Sequence, residues 1–232
     1  TSSSGSIKTH LGSNKTNCSM KEFLGKFAWK ILGNEYFIFL KGQNKKYLHL
    51  AKNVSIGHKT YHNGAFVWQW HANSELEIGK YCSISNDVNF ILDSGHHHLS
   101  AITTFPHFNH LVDKELSIAN KSQFDFKQSI VTEKSKTIVG NDVWIGMNAI
   151  ILPNVKIGNG VTVLAGSVVS KDIPDYSIVG GIPAGIIKMK YDTVTIDKLK
   201  RIAWWDWDDR KVEENVSDFY EPIQNFINKW LC

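Results

Sequence analysis

Apolar positions between Ile138 and Ile173 recur at every sixth residue: Val139, Ile145, Ile151, Ile157, Val163 and Val169 are all β-branched and aliphatic. Gly follows three of them (Gly140, Gly146, Gly158). Four residues after each comes a second small or β-branched position: Val143, Ala149, Val155, Val161, Ser167, Ile173. An amphipathic helix needs an apolar spacing of about 3.6, and a half-buried strand alternates every second residue. A strict period of six fits neither and predicts a parallel β-helix. Each unit of six makes one flat face of a triangular coil, three units close a turn, and the column residue points inward. Successive coils then pair as parallel strands about 4.8 Å apart. Gly is expected at the corners, where a Cβ would clash or the backbone needs a positive φ. Such a coil buries its core only against its neighbours.

The pattern is less regular upstream. Coil-like sequence begins near Leu48 with Val54 and Ile56-Gly57, runs through Phe66 to Trp70, and is clean at Ile78-Gly79, Ile84-Ser85 and Phe90-Ile91. Cys82 falls in the small inward slot and reads as a packed thiol. From about 93 to 136 the period is lost, beginning with the His-rich stretch DSGHHHLSAITTFPHFNHL. A loop of that length inside a compact repeat is more often functional than idle, and it must project from one corner. After Ile173, the residues Pro174, Gly180, Gly181, Pro183 and Gly185 mark turns where the last coil unwinds. The tail reads as helical: Ile196, Leu199 and Ile202, then Trp204–Trp207, then Val212–Trp230. Its apolar stripe is expected to cap the far end or meet a neighbouring subunit. At the near end, Phe23, Phe27 and Ile31 with the run Tyr36–Leu40 predict a cap over the first coil, which blocks edge pairing. The alternative for Phe23, Phe27 and Trp29, flanked by Lys21, Lys26 and Lys30, is a weak peripheral membrane contact. The expected divisions are an added or disordered leader (1–19), an N-terminal cap (20–47), a β-helix domain (48–190) with a loop at 93–136, and a C-terminal helical segment (191–232).

Composition narrows the function classes. The 232 residues are 42% hydrophobic and 21% charged, as in ordinary globular chains. A net charge of +4 without a basic tract gives no footprint for nucleic acid. No stretch reaches the roughly 18 apolar residues of a membrane span. Cys18, Cys82 and Cys232 are too scattered for a disulfide framework or a zinc site and suit a reducing compartment. The chain is therefore expected to be cytoplasmic, with the inner face of the membrane as the alternative location.

Chemistry concentrates in the insertion, which carries His96, His97, His98, His107 and His110, with His71 upstream. Imidazole serves either as a metal ligand or as a general base near neutral pH. A β-helix carbonic anhydrase would need histidines on the coils, and Val139–Ile173 contains none. No metal is expected.

Several segments together resemble the hexapeptide-repeat acyltransferases: LEIGKYCSI (Leu76–Ile84), GHHHLSAITTFP (Gly95–Pro106), GNDVWIG (Gly140–Gly146), SKDIPDYSIVGGIPA (Ser170–Ala184) and WWDW (Trp204–Trp207). Within them the chain is most similar to the xenobiotic acetyltransferase branch, which includes streptogramin and chloramphenicol acetyltransferases and surface-sugar O-acetyltransferases. The resemblance implies a left-handed β-helix, a homotrimer, and acetyl-CoA lying between neighbouring β-helices. It also implies a general base on the loop about nine residues before Pro106, which is His97, with His98 as the alternative. An Arg commonly follows the base in this branch, and here His98 stands in its position. Cofactor contacts are implied for Trp144, Met147, Ala165, Gly166, Ser170, Lys171 and Lys188, with Ala165 and Gly166 offering backbone N–H groups. The function expected on these grounds is acetyl transfer to a hydroxyl of a sugar in surface-polysaccharide synthesis. The alternative acceptor is a streptogramin or chloramphenicol hydroxyl, N-acetylation of an amino sugar remains open, and a non-enzymatic trimeric scaffold is the competing class.

Overall fold

The six-residue column is the inner wall of a three-faced coil. The computed structural model describes residues 44–94, 102, 104, 105 and 135–231. Within them Val139, Ile145, Ile151, Ile157, Val163 and Val169 are at most 1% exposed, and the second inward position, from Val143 to Ile173, is buried with them. The leader and most of the N-terminal cap expected from sequence lie outside the described residues.

A short strand, β1 (Lys45–Tyr47), and a 3₁₀ turn at Leu48–Leu50 precede the coils. The first coil is β2 (Val54–Ile56), β3 (Tyr61–His62) and β4 (Phe66–Trp68), and the second is β5 (Glu75–Ile78), β6 (Ser83–Ile84) and β7 (Asn89–Ile91). The third is β8 (Lys136–Val139), β9 (Trp144–Ile145) and β10 (Ile150–Ile151). The fourth is β11 (Lys156–Ile157), β12 (Thr162–Val163) and β13 (Val168–Val169), followed by β14 (Ser177–Gly181) and β15 (Ala184–Met189). One strand per coil stacks into each face. The first face is β2-β5-β8-β11, the second is β3-β6-β9-β12-β14-β15, and the third is β1-β4-β7-β10-β13. All pairings are parallel except β1 on β4 and β15 on β14. This is a left-handed parallel β-helix with a C-terminal helical segment.

Register locates the insertion. Val139 pairs with Ile157, 18 positions on, which is the length of one coil. On its other side Val139 pairs with Ile78, 61 positions earlier. The extra chain leaves after β7 and returns before β8, at the corner between the third and first faces.

The corners use two distinct devices. Gly158, like Gly140 and Gly146, has an ordinary φ but no room, since a Cβ there would lie 2.5 Å from the backbone nitrogen of Asp175 in the next coil. Three residues past the column, Asp142, Asn148, Asn154, Gly160 and Gly166 take φ between 55° and 70°. Asn, Asp and Gly tolerate that left-handed region best.

Three sequence expectations change. Residues after Pro174 do not unwind: Ile178 and Val179 pair with Thr162 and Val163 as another parallel strand, and the chain doubles back as β15. The tail is also not one helix through Val212–Trp230. It forms α1 (Thr193–Ile202), a 3₁₀ turn at Trp204–Asp206, α2 (Asp209–Glu214), a 3₁₀ turn at Val216–Tyr220 and α3 (Ile223–Trp230). Asp192 and Asp208 cap α1 and α2 by accepting the N–H groups of Thr195 and Lys211, both at 2.8 Å. Pro222, with no N–H to give, separates the last helix from the turn before it. The tail does not cap the far end. It lies lengthwise along the corner between the first and second faces: Asp209 meets His58 at 2.7 Å, Asp206 meets Lys80 at 2.9 Å, and Lys200 meets Asp175 at 2.8 Å. Among the described residues no helix is long and apolar enough to cross a membrane.

Candidate active site

The corner between the second and third faces differs from the tail-bearing corner in how it treats its backbone. At the tail-bearing corner, the N–H groups of Lys80, Asn141 and Asn159, each two residues past the column, donate to side-chain oxygens of Asn141, Asn159 and Asp175 at 2.7–2.8 Å. In the third and fourth coils the equivalent N–H groups at the second–third corner belong to Met147 and Ala165. They donate to nothing among the described residues. Both residues are exposed. Two open donors, one coil apart, therefore face any acceptor lying along this edge. Gly166 does not add a third, because its N–H donates to the Met147 carbonyl at 2.8 Å. Its missing side chain leaves open space instead, with no atom within 4 Å of where a Cβ would be.

Trp144 is 51% exposed and Met147 50% exposed, so the apolar surface beside these donors is open. Trp144, Thr162, Ile178 and Lys188 form one row across the second face, β9 to β15. Three strand spacings separate the ends, about 14 Å. The exposed Lys188 thus lies on the same face as the indole, at the far end of a strip long enough for an extended ligand. Exposed Leu164 and Ile187 border that strip, both approaching Gly180. Neither stands out in the sequence, because outward apolar residues carry no period.

Ser170 and Lys171 lie elsewhere. They are exposed on the third–first corner, the edge that also carries the insertion. The implied cofactor contacts therefore divide between the second face with its adjoining second–third corner and the third–first corner, on the other side of the third face. His97 and His98 lie outside the described residues, as do His96, His107 and His110.

Asp93 belongs to no motif legible in the sequence. It is 6% exposed and accepts the N–H groups of Trp70 and His71, both at 3.1 Å, and the hydroxyl of Ser74 at 2.9 Å. A buried carboxylate with several donors is well satisfied, and it fixes the chain four residues before His97. On the returning side, Ser135 donates its hydroxyl to the Leu92 carbonyl. The one signal for Asp93 in the sequence is an acidic residue at the point where the period fails. Cys82 is buried with its thiol on the Gly140 carbonyl at 3.1 Å, and burial pushes its pKa up, so it is a packing residue.

Asp142, on the tail-bearing corner, has its carboxyl pushed up to about 6 by burial, against a smaller opposing pull from the Lys190 ammonium. A raised carboxyl pKa contributes stability that is complete below about pH 4 and is lost as pH rises through about 6. Asp142→Asn is therefore expected to stabilise the protein at pH 8 by on the order of 1–3 kcal/mol and to change little at pH 4. Thermal unfolding at both pH values checks this, and an unchanged or lower Tm at pH 8 would refute it.

Fold and repeat together define a transferase of the hexapeptide class. The family described as "Bacterial transferase hexapeptide (six repeats)" matches residues 136–171. A probable macrolide acetyltransferase of Lysinibacillus sphaericus is 36% identical over 158 residues, which cover 67% of this chain and 84% of that protein. A chloramphenicol acetyltransferase of Escherichia coli is 31% identical over 179 residues, 70% of this chain and 80% of that one. A putative lipopolysaccharide biosynthesis O-acetyl transferase of Escherichia coli (strain K12) is 48% identical over 63 residues, 27% of this chain and 32% of that one. The chain belongs to the hexapeptide-repeat acetyltransferases, enzymes that take their acetyl group from acetyl-CoA.

Proposed function

We propose that this enzyme acetylates a hydroxyl of an antibiotic of the chloramphenicol, streptogramin or macrolide kind, with His97 as general base. The observation that carries this reading is the extent of the two drug-acetyltransferase relatives, which match along 67% and 70% of the chain. This reverses the order of acceptors expected from sequence. The sugar hydroxyl becomes the second reading, favoured by the 48% identity to a lipopolysaccharide-related transferase over 63 residues.

Acetyl-CoA suits the second–third corner. Its pantetheine amides carry carbonyls for the open N–H groups of Met147 and Ala165, its thin chain has apolar surface at Trp144, and its phosphates have a cation in Lys188. Ser170 and Lys171 would then serve acetyl-CoA bound by a neighbouring copy. That division supports a homotrimer, because one chain's donor edge needs another chain's insertion edge beside it. Lys188 acts on a phosphate as a point charge, so its contribution is screened by salt.

The chemistry asks little beyond a base. The acceptor hydroxyl gives its proton to the His97 imidazole as its oxygen attacks the thioester carbonyl. The tetrahedral oxyanion collapses, the C–S bond breaks, and the departing thiolate takes the proton from the imidazolium. The product is an acetyl ester and free CoA.

Release of free CoA from acetyl-CoA tests the acceptor class, using chloramphenicol, a streptogramin, a macrolide, nucleotide sugars and oligosaccharides. Turnover on one drug is expected, with Trp144→Ala raising the KM for acetyl-CoA about tenfold, the equivalent of roughly 1.4 kcal/mol. Turnover on sugars alone would overturn the drug reading in favour of the second.

A further inference from the structure

The dipeptide Asn-Gly occurs twice in this chain, at Asn63-Gly64 and at Asn159-Gly160. Both pairs turn corners of the coil, and both glycines take a left-handed φ, +81° and +62°. Asn is a thermolabile residue. It is most so before Gly, whose missing side chain leaves the next backbone nitrogen free to approach the carboxamide.

The two sites differ in every group that such a reaction uses. The Asn159 oxygen accepts the backbone N–H of Asn141 at 2.8 Å and its carboxamide N–H at 3.0 Å, and the Asn159 carboxamide nitrogen donates to Asp175 at 3.2 Å. The Gly160 N–H donates to the Asn141 carbonyl at 2.8 Å, and a Cβ on Gly160 would lie 2.5 Å from the Tyr176 ring. Nitrogen and carboxamide are therefore both committed, and neither turns towards the other without breaking the side-chain ladder of the tail-bearing corner. Asn63 is exposed, at the second–third corner of the first coil. Its backbone N–H is anchored on the Ile84 carbonyl at 3.1 Å, but its carboxamide and the Gly64 N–H make no hydrogen bond among the described residues. No atom lies within 4 Å of where a Gly64 Cβ would be. Nucleophile, electrophile and space are all open.

We propose that Asn63 is a site of spontaneous covalent modification in the folded protein, whereas the corner ladder preserves Asn159. The Gly64 nitrogen, giving its proton to solvent base, attacks the Asn63 side-chain Cγ. The Cγ–Nδ2 bond breaks, the nitrogen takes up a proton, and ammonia leaves behind a five-membered succinimide. Water then adds to either imide carbonyl and opens the ring to aspartate or isoaspartate. One water enters and one ammonia departs, and the new carboxylate removes one unit from the net charge of +4. The reaction needs no enzyme and does not rest on the acetyl-transfer reading.

The full chain is aged at pH 8, in buffer and in guanidinium chloride, and its proteolytic peptides are followed by mass spectrometry. In denaturant the two asparagines should lose ammonia at rates within about threefold of each other, since local sequence is then the only control. In the folded protein Asn63 should keep at least a tenth of its unfolded rate, with Asn159 at least tenfold slower than Asn63. Asn63→Gln should abolish the mass gain in its peptide, because the longer side chain closes a less favourable ring. Asn63→Asp should elute with the aged folded protein on ion exchange. A folded chain in which Asn159 reacts as fast as Asn63, or in which folding slows Asn63 as much as Asn159, would overturn the proposal.

Discussion

Replacing His97 with alanine is expected to lower acetyl transfer about 10²–10⁴-fold, the range typical of a lost general base. The thioester is already an activated acyl donor, so deprotonation of the attacking hydroxyl is the step that an imidazole accelerates. Affinity for acetyl-CoA should remain within about twofold, because the base is proposed to act on the acceptor. In the wild type, the acidic limb of the kcat/KM–pH profile should report the imidazole, and the variant should lose that limb. His98→Ala is the necessary comparison. A loss confined to His98→Ala transfers the role to that residue, and two fully active variants remove the base from this segment.

Gly158→Ala is expected to destabilise the fold by about 3 kcal/mol, at the upper end of the range for overpacking. The new methyl would sit 2.5 Å from the Asp175 nitrogen and 2.8 Å from its Cα. Backbone cannot rotate out of the way as a side chain can, so neighbouring coils must separate and weaken their ladder. For a chain of this size that corresponds to a fall in Tm of roughly 6–12 °C. Gly166→Ala supplies the contrast. Its methyl meets nothing within 4 Å, leaving only the left-handed φ of +70°, for a cost of about 1–2 kcal/mol. Equal losses at the two glycines would show that the corners do not divide into crowded and conformational positions.

The inward column was legible because every member meets the same environment, so the same side-chain shape recurs at the same interval. The left-handed positions recur just as strictly, through Asp142, Asn148, Asn154, Gly160 and Gly166, but three different residue types satisfy one backbone requirement. That chemical mixture hides the period. β14 and β15 were obscured by Gly180, Gly181 and Gly185, whose turn signals mask the strand residues between them. The course of the tail had almost no local signal, since it depends on rings and charges more than a hundred residues apart, such as Tyr81 against Trp204. Tyr81 and Tyr176 do carry a hint. Each occupies a left-handed slot that bulky residues rarely take, with φ of 57° and 54°. For the candidate site, the family resemblance named Trp144, Met147, Ala165 and Lys188, whereas that the N–H groups of Met147 and Ala165 are open, and that of Gly166 is not, is a property of the corner's geometry.

The register jump between β7 and β8 bears on how freely this enzyme can vary. Closing 61 residues instead of 18 costs only about 1 kcal/mol more in chain entropy, because that penalty grows with the logarithm of length. One buried aliphatic side chain of the column offsets it. The histidine-bearing segment can therefore lengthen, shorten or be exchanged for another at little thermodynamic cost to the stacked coils. Substrate range can diversify on this scaffold without renegotiating the fold.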